Sequence, residues 1–138
     1  MTSSRPKLAD AAYRRVKTQL VSVALRDLAT EVPKSFREFY EIHVGPFGSS
    51  NTGFLLLDLI QGNPNILSMT KTCRQEFGWH PNLLVLTEPV ANAVLTLDAT
   101  RDLVFNVDFE GGDLALLSGA LAPTWESFSA FLDFFFGD

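Results

Sequence analysis

A single α+β domain is what this sequence predicts, from three observations. Apolar residues recur at helical spacing before about residue 45 and again from Phe128 to Phe135, whereas the stretch from Leu83 to Phe109 alternates short β-branched and aromatic runs with turn residues. The 138 residues are 46% hydrophobic, enough to bury one core without covalent staples. The expected organisation is a basic N-terminal helix within residues 1–27 that forms one globular unit with residues 28–138.

The first helix is predicted from about Leu8 to Ala29. Tyr13, Val16, Leu20, Ala24 and Leu28 return to one side, while Arg14, Arg15, Lys17 and Arg26 fall largely elsewhere, on a face read as solvated. Thr30-Glu31-Val32 breaks the pattern. Pro33 suits the first position of a second helix, where its missing amide costs nothing, and Phe36, Phe39, Tyr40 and Val44 form the buried stripe before Gly45-Pro46 ends it. Phe47 to Gly53 is a polar, glycine-rich loop, and Phe54 to Ile60, apolar on both faces, predicts a central strand. Asn65 is placed to cap a third helix from Ile66 to about Phe77, with Ile66, Met69, Cys73 and Phe77 inward and Gly78 as its stop.

A meander follows. Strands are expected over Leu83–Glu88, Ala93–Asp98 and Leu103–Phe109, with a turn at Ala99-Thr100-Arg101-Asp102. Glu110-Gly111-Gly112-Asp113 reads as a tight connection into a short strand, Leu114 to Leu117. Thr124 is placed to cap the last helix and Glu126 to sit at its positive end, with Phe128, Phe131, Leu132 and Phe135 as its apolar stripe. Phe134, Phe135 and Phe136 cannot all face one core, so at least one must be exposed or covered by a partner.

Several chemistries lack their residues. Gly45, Gly48 and Gly53 cluster, but a phosphate-binding loop needs a lysine before the helix that it feeds, and here a strand follows. Cys73 is the lone cysteine, which rules out an internal disulfide and a multi-cysteine zinc site; its inward place makes it a small core residue and not a nucleophile activated by His43 or His80. Those two histidines have no metal-ligand spacing. The longest apolar runs fall far short of the roughly 18 residues of a membrane span, and the charged N-terminus leads into no uncharged apolar segment of the secretory kind. The expectation is a cytoplasmic protein.

Charge is unevenly distributed. Residues 1–37 hold 8 Lys or Arg against 3 Asp or Glu, a balance of +5, and residues 38–138 hold 3 against 13, a balance of -10. The acidic part repels nucleic acid and favours encounter with a basic protein. Asp98, Asp102, Asp108, Glu110 and Asp113 are expected together around one end of the meander, as a partner-binding rim or as the paired acids of a glycoside-cleaving enzyme.

Val32-Pro33-Lys34-Ser35-Phe36-Arg37-Glu38-Phe39-Tyr40 followed by Gly45, then Leu95-Thr96-Leu97-Asp98, Val107-Asp108-Phe109-Glu110 and Ser127-Phe128-Ser129-Ala130-Phe131-Leu132 stand in a familiar order. In that order they resemble the SUKH superfamily, which takes in bacterial immunity proteins of polymorphic toxin systems and yeast cell-wall synthesis regulators of the Smi/Knr type. The resemblance covers roughly Leu28 to Phe135. Pro89-Val90-Ala91-Asn92 stands where the family often has a glycine-rich loop, and Phe109 where it usually has a histidine.

The resemblance implies a twisted mixed sheet flanked by helices, in a protein that binds and does not catalyse, with no cofactor and no metal. Its partner would be a cognate toxin, often a nuclease and therefore basic, bound through Asp98, Asp102, Asp108, Glu110 and Asp113 without direct contact to nucleic acid or membrane. The alternative is a regulatory or scaffold module, homodimeric through the first helix or the Phe134–Phe136 end. An enzyme using the acidic cluster or Cys73 ranks last.

Overall fold

The computed structural model describes residues 8 and 11–137. The predicted first helix at residues 9 and 10, and the rest of the N-terminal segment before Leu8, lie outside the described residues. The chain forms α1 (Gln19–Leu28), α2 (Lys34–Ile42), α3 (Ile66–Phe77), β1 (Leu83–Val85), β2 (Ala93–Asp98), β3 (Leu103–Asp108), α4 (Gly112–Ser118) and α5 (Phe128–Phe135). No helix among the described residues is long and apolar enough to cross a membrane.

The sheet has the order β1-β2-β3 and is antiparallel throughout, where a mixed sheet was expected. Its strands return through short connections, whereas a parallel neighbour needs a crossover of about a dozen residues or more. Register is set by Leu84 opposite Leu97 and by Thr96 opposite Phe105. Every residue from Val94 to Asp98 is buried, because β2 lies centrally with helices on both faces. One face carries Leu84, Leu86, Leu95, Leu97 and Val104 against α1, α2 and α5; the other carries Val85, Val94, Phe105 and Val107 against α3, Trp79 and α4. Both sheet edges are covered by single bridges, Leu56 to Thr87 on one side and Val104 to Trp125 on the other.

Phe54–Ile60 is buried but is not a regular strand. Leu56 makes only isolated bridges, and the Asp58 carboxylate then accepts from the Ile60 and Gln61 amides (3.0 and 2.8 Å), which bends the chain away. The central strand is therefore β2. α3 has the predicted bounds, with a reciprocal Asn65–Ser68 capping box and Gly78 in the left-handed conformation at its end. Its inward face differs in two respects: Thr70 is buried beside Ile66 and Cys73 while Met69 is half-buried, and Phe77 is 47% exposed. Burial pushes the Cys73 thiol up to about 11, helped by Glu76.

The first helix is shorter than predicted. A 3-10 turn, Ala11–Tyr13, is followed by an extended stretch in which Arg14 bridges His43, and α1 begins only at Gln19. Val21, Ala24, Leu25 and Leu28 form its buried face, so Val16 is 87% exposed and Leu20 lies at the rim. Arg15, expected in solvent, is buried: its Nη2 pairs with Asp58 Oδ1 at 2.5 Å and its Nε donates to the Tyr40 carbonyl. Pro33 is the N-cap of α2 and not its first residue, and Val44 lies beyond the helix.

Leu114–Leu117 is helical, not a strand. The Asp108 carboxylate accepts from the Gly112 amide at 3.0 Å, and Gly112 turns the chain into α4 where a Cβ would meet Asp108 Oδ2 at 2.7 Å. The α5 stripe is buried as predicted, but its N-cap is Ser127, which accepts from Ala130 N at 2.9 Å. Thr124 instead accepts from the Asn106 amide. Of the three terminal phenylalanines, Phe135 and Phe136 are buried and Phe134 is 49% exposed, lying against Trp125.

Candidate partner-binding surface

The five carboxylates singled out from the sequence do not share one end of the hairpin. Asp98 pairs with Leu103 at the β2–β3 turn, and Ala93 pairs with Asp108 at the other end. Five residue steps of strand separate the two groups by about 17 Å. Asp98 and Asp102 belong to the first, Asp108, Glu110 and Asp113 to the second.

Asp98 is buried and fully engaged. Its carboxylate accepts from Asn82 Nδ2 (2.9 Å), the Thr100 and Arg101 amides (3.0 and 3.2 Å) and Arg101 Nε (2.8 Å). Burial pushes this carboxyl up, but the hydrogen bonds from Asn82 and Arg101 and the Arg101 charge outweigh it and hold the group below the usual range. Asp102 has φ 56 and accepts from Phe128 N at 2.8 Å, which ties the β2–β3 turn to the first turn of α5. Both residues serve the fold, although Asp102 also reaches a cleft of 620 Å³ that it shares with Glu31 and Lys34.

The second group is open. Asp108 is exposed and accepts from Gly112 N and Glu110 N (3.0 and 2.9 Å), bonds that hold its carboxyl below the ordinary range. Glu110 is exposed, and Asp113 is half-buried in the first turn of α4. Between Asp108 and Glu110, Phe109 packs against Phe77 (ring centroids 5.3 Å apart) and stacks on Trp79 (5.8 Å). Phe77 follows the exposed Glu76, and Leu114, one residue past Asp113, is 69% exposed. The same end carries the Val90–Ala93 hairpin, whose Asn92 carbonyl accepts from Phe109 N at 3.0 Å. Ala91 and Asn92 take φ 51 and 62, the conformation of a two-residue turn, so the Pro89–Asn92 segment turns tightly without glycine.

Apolar aromatic surface inside a carboxylate rim is the anatomy of a protein-binding patch, with the ring pair as the desolvated centre. Phe77 and Phe109 were not legible as its members: Phe77 falls on the helical stripe that also gives Cys73, and Phe109 sits on a strand. The one available signal was an aromatic residue between Asp108 and Glu110. Among the described residues no group of three or more His, Cys, Asp or Glu side chains converges as a metal site would require. No protein-family model matches the sequence, and no curated protein matches it.

Proposed function

We propose that the protein is a cytoplasmic immunity protein of the SUKH type, which binds a cognate polymorphic toxin and neutralises it by occlusion, not by catalysis. The toxin is a basic protein, with a nuclease as the leading candidate. The observation that carries this reading is the Phe77–Phe109 pair, half-open at the end of the domain where Asp108, Glu110 and Asp113 gather. The ordered sequence motifs and the -10 balance of residues 38–138 support it. A toxin that grips phosphate presents cations, and an acidic rim speeds their encounter while the aromatic centre supplies slow dissociation.

The partner-binding set is accordingly weighted towards Asp108, Glu110 and Asp113, with Asp98 and Asp102 contributing through the turn that they build. Co-expression tests the function. The C-terminal domain encoded by the adjacent gene is produced with and without this protein, and growth and co-purification are scored. Rescue with a stable complex is the expected outcome; toxicity without rescue would refute it.

A second reading, a Smi/Knr-type scaffold that dimerises through the first helix, is favoured by one observation: Val16 and Val23 are exposed on the outer side of that region. A monomer by light scattering at high concentration would remove it. The Phe134–Phe136 end offers less, since two of its three rings are already in the core.

A further inference from the structure

Two exposed surfaces of the domain carry opposite charge around apolar residues. On the outer side of α1, Leu20 and Val23 are exposed one helical turn apart, with the exposed Val16 just before the helix and Asp27 one turn further on. Asp27 is neutralised by Lys71 at 2.6 Å, whereas Lys17 and Arg26 are exposed and form no ion pair among the described residues. This surface is therefore apolar and basic. At the acidic end, Phe77 and Leu114 are open to solvent, and Glu76 and Glu110 are exposed with no basic partner among the described residues. That surface is apolar and acidic.

We propose that these two surfaces bind each other between copies of the chain, the α1 face of one molecule docking on the acidic end of the next. One copy cannot bring them together, because α1 packs on the sheet face that carries Leu84 and Leu97, whereas Phe109 and α4 lie against the opposite face and Phe77 packs on Phe109. A symmetric contact between two α1 helices sets Lys17 and Arg26 of one copy against the same cations of the other, which is unfavourable. The head-to-tail contact pairs them with Glu76 and Glu110 instead. Val16, Leu20 and Val23 lose water against Phe77 and Leu114, and the charges choose the orientation. Such a contact is heterologous: each pair leaves one α1 face and one acidic end free, so assembly continues past the dimer. The net charge of -5 holds copies apart at long range, so association is weak and needs high concentration. Each contact covers one acidic end, and a partner that uses that end must compete with it. The contact requires only that the end is exposed, whatever else binds there.

Sedimentation equilibrium of the full chain, from micromolar to near-millimolar concentration, tests the contact. The expected weight-average mass rises with concentration without levelling at a dimer. Lys17→Glu/Arg26→Glu and Glu76→Lys/Glu110→Lys each place like charges across the contact and should weaken association about tenfold or more. All four side chains are exposed, so the unfolding midpoints should stay near that of the native chain. An equimolar mixture of the two variants sets opposite charges together again, and its mass should rise with concentration as that of the native chain does. Both variants remain net negative, so the mixture gains no overall attraction. A native chain that is monomeric at every concentration would overturn the proposal, as would a mixture no heavier than its components. Association that survives either variant would also overturn it, and survival in the Glu76→Lys/Glu110→Lys protein alone would assign a symmetric α1 dimer instead. No toxin takes part, so failure here leaves the immunity reading standing.

Discussion

Asp58 shows how much one side chain decides. Its carboxylate accepts from the Gly45, Ile60 and Gln61 amides and from Arg15, tying the N-terminal segment, the end of α2 and the Leu56 bridge to one buried point. Burial, then the Asp58 charge, push the adjacent Tyr40 hydroxyl upward against the opposing effect of Arg15, so Tyr40 stays neutral and donates to the Leu57 carbonyl. Removing one partner of a buried pair leaves the other charged and unsolvated. Asp58→Ala should therefore cost about 3–5 kcal/mol in urea unfolding, with Arg15→Met/Asp58→Leu recovering a large part of it. A loss below about 1 kcal/mol, the scale of a surface pair, would mean that the pair is not buried. None of this was legible in the sequence: Arg15 sat on the polar side of a helical pattern, and its partner lies 43 residues away.

Asp98 links a residue to pH. Its carboxyl is held below its ordinary value of 3.8 in the folded chain, so the unfolded chain binds the proton first as pH falls. The stabilisation is complete above pH 3.8 and is lost as pH drops through the lower, folded value. Urea midpoints measured from pH 6 to pH 2 should fall in acid, and Asp98→Asn should flatten that limb while lowering stability at pH 6. An unchanged acid limb would count against the hydrogen-bond set around Asp98.

Elements were legible where local signals agreed with packing. α3 has Asn65 and Gly78 at its ends, and β2 is a buried apolar run between two turns; both match the bounds read from the sequence. Three elements were misread: Phe54–Ile60 and Leu114–Leu117 because a short apolar run does not declare its period, and the first helix because a periodic pattern does not show where a buried contact interrupts it. Leu114–Leu117 is helical because Asp108 and Gly112 start a helix there, and α1 loses its first turns because Arg15 is drawn to Asp58. α1 also ends on Ala29 at φ 56, where glycine is the usual residue. Ala29→Gly should remove a left-handed strain of about 1 kcal/mol and raise the unfolding midpoint. A lowered midpoint would place Ala29 outside that conformation.

Across the whole molecule, the five carboxylates expected as one cluster divide between the two ends of the β2–β3 hairpin. The spacing from Asp98 to Asp113 suggested one cluster, but two paired six-residue strands carry the turn with Asp98 and Asp102 away from Asp108, a separation that the predicted strands and turn already implied. The division narrows the proposed interface to one end. Asp98 and Asp102 are engaged by Arg101 and by α5, whereas Asp108 and Glu110 flank Phe109, which packs on the half-open Phe77, and Asp113 follows in the first turn of α4. Substitution at the two ends should therefore separate stability from binding.

The association rate of the protein with the partner domain that the co-expression test is expected to yield, measured against sodium chloride concentration, tests that claim most directly. The acidic-end account predicts a rate that falls with salt, and in Glu76→Lys/Glu110→Lys, which reverses two exposed carboxylates beside the Phe77–Phe109 pair, a low-salt rate reduced about tenfold or more with a flattened salt dependence, while the unfolding midpoint changes little. The native rate and salt dependence in that variant would contradict the account and move the interface elsewhere.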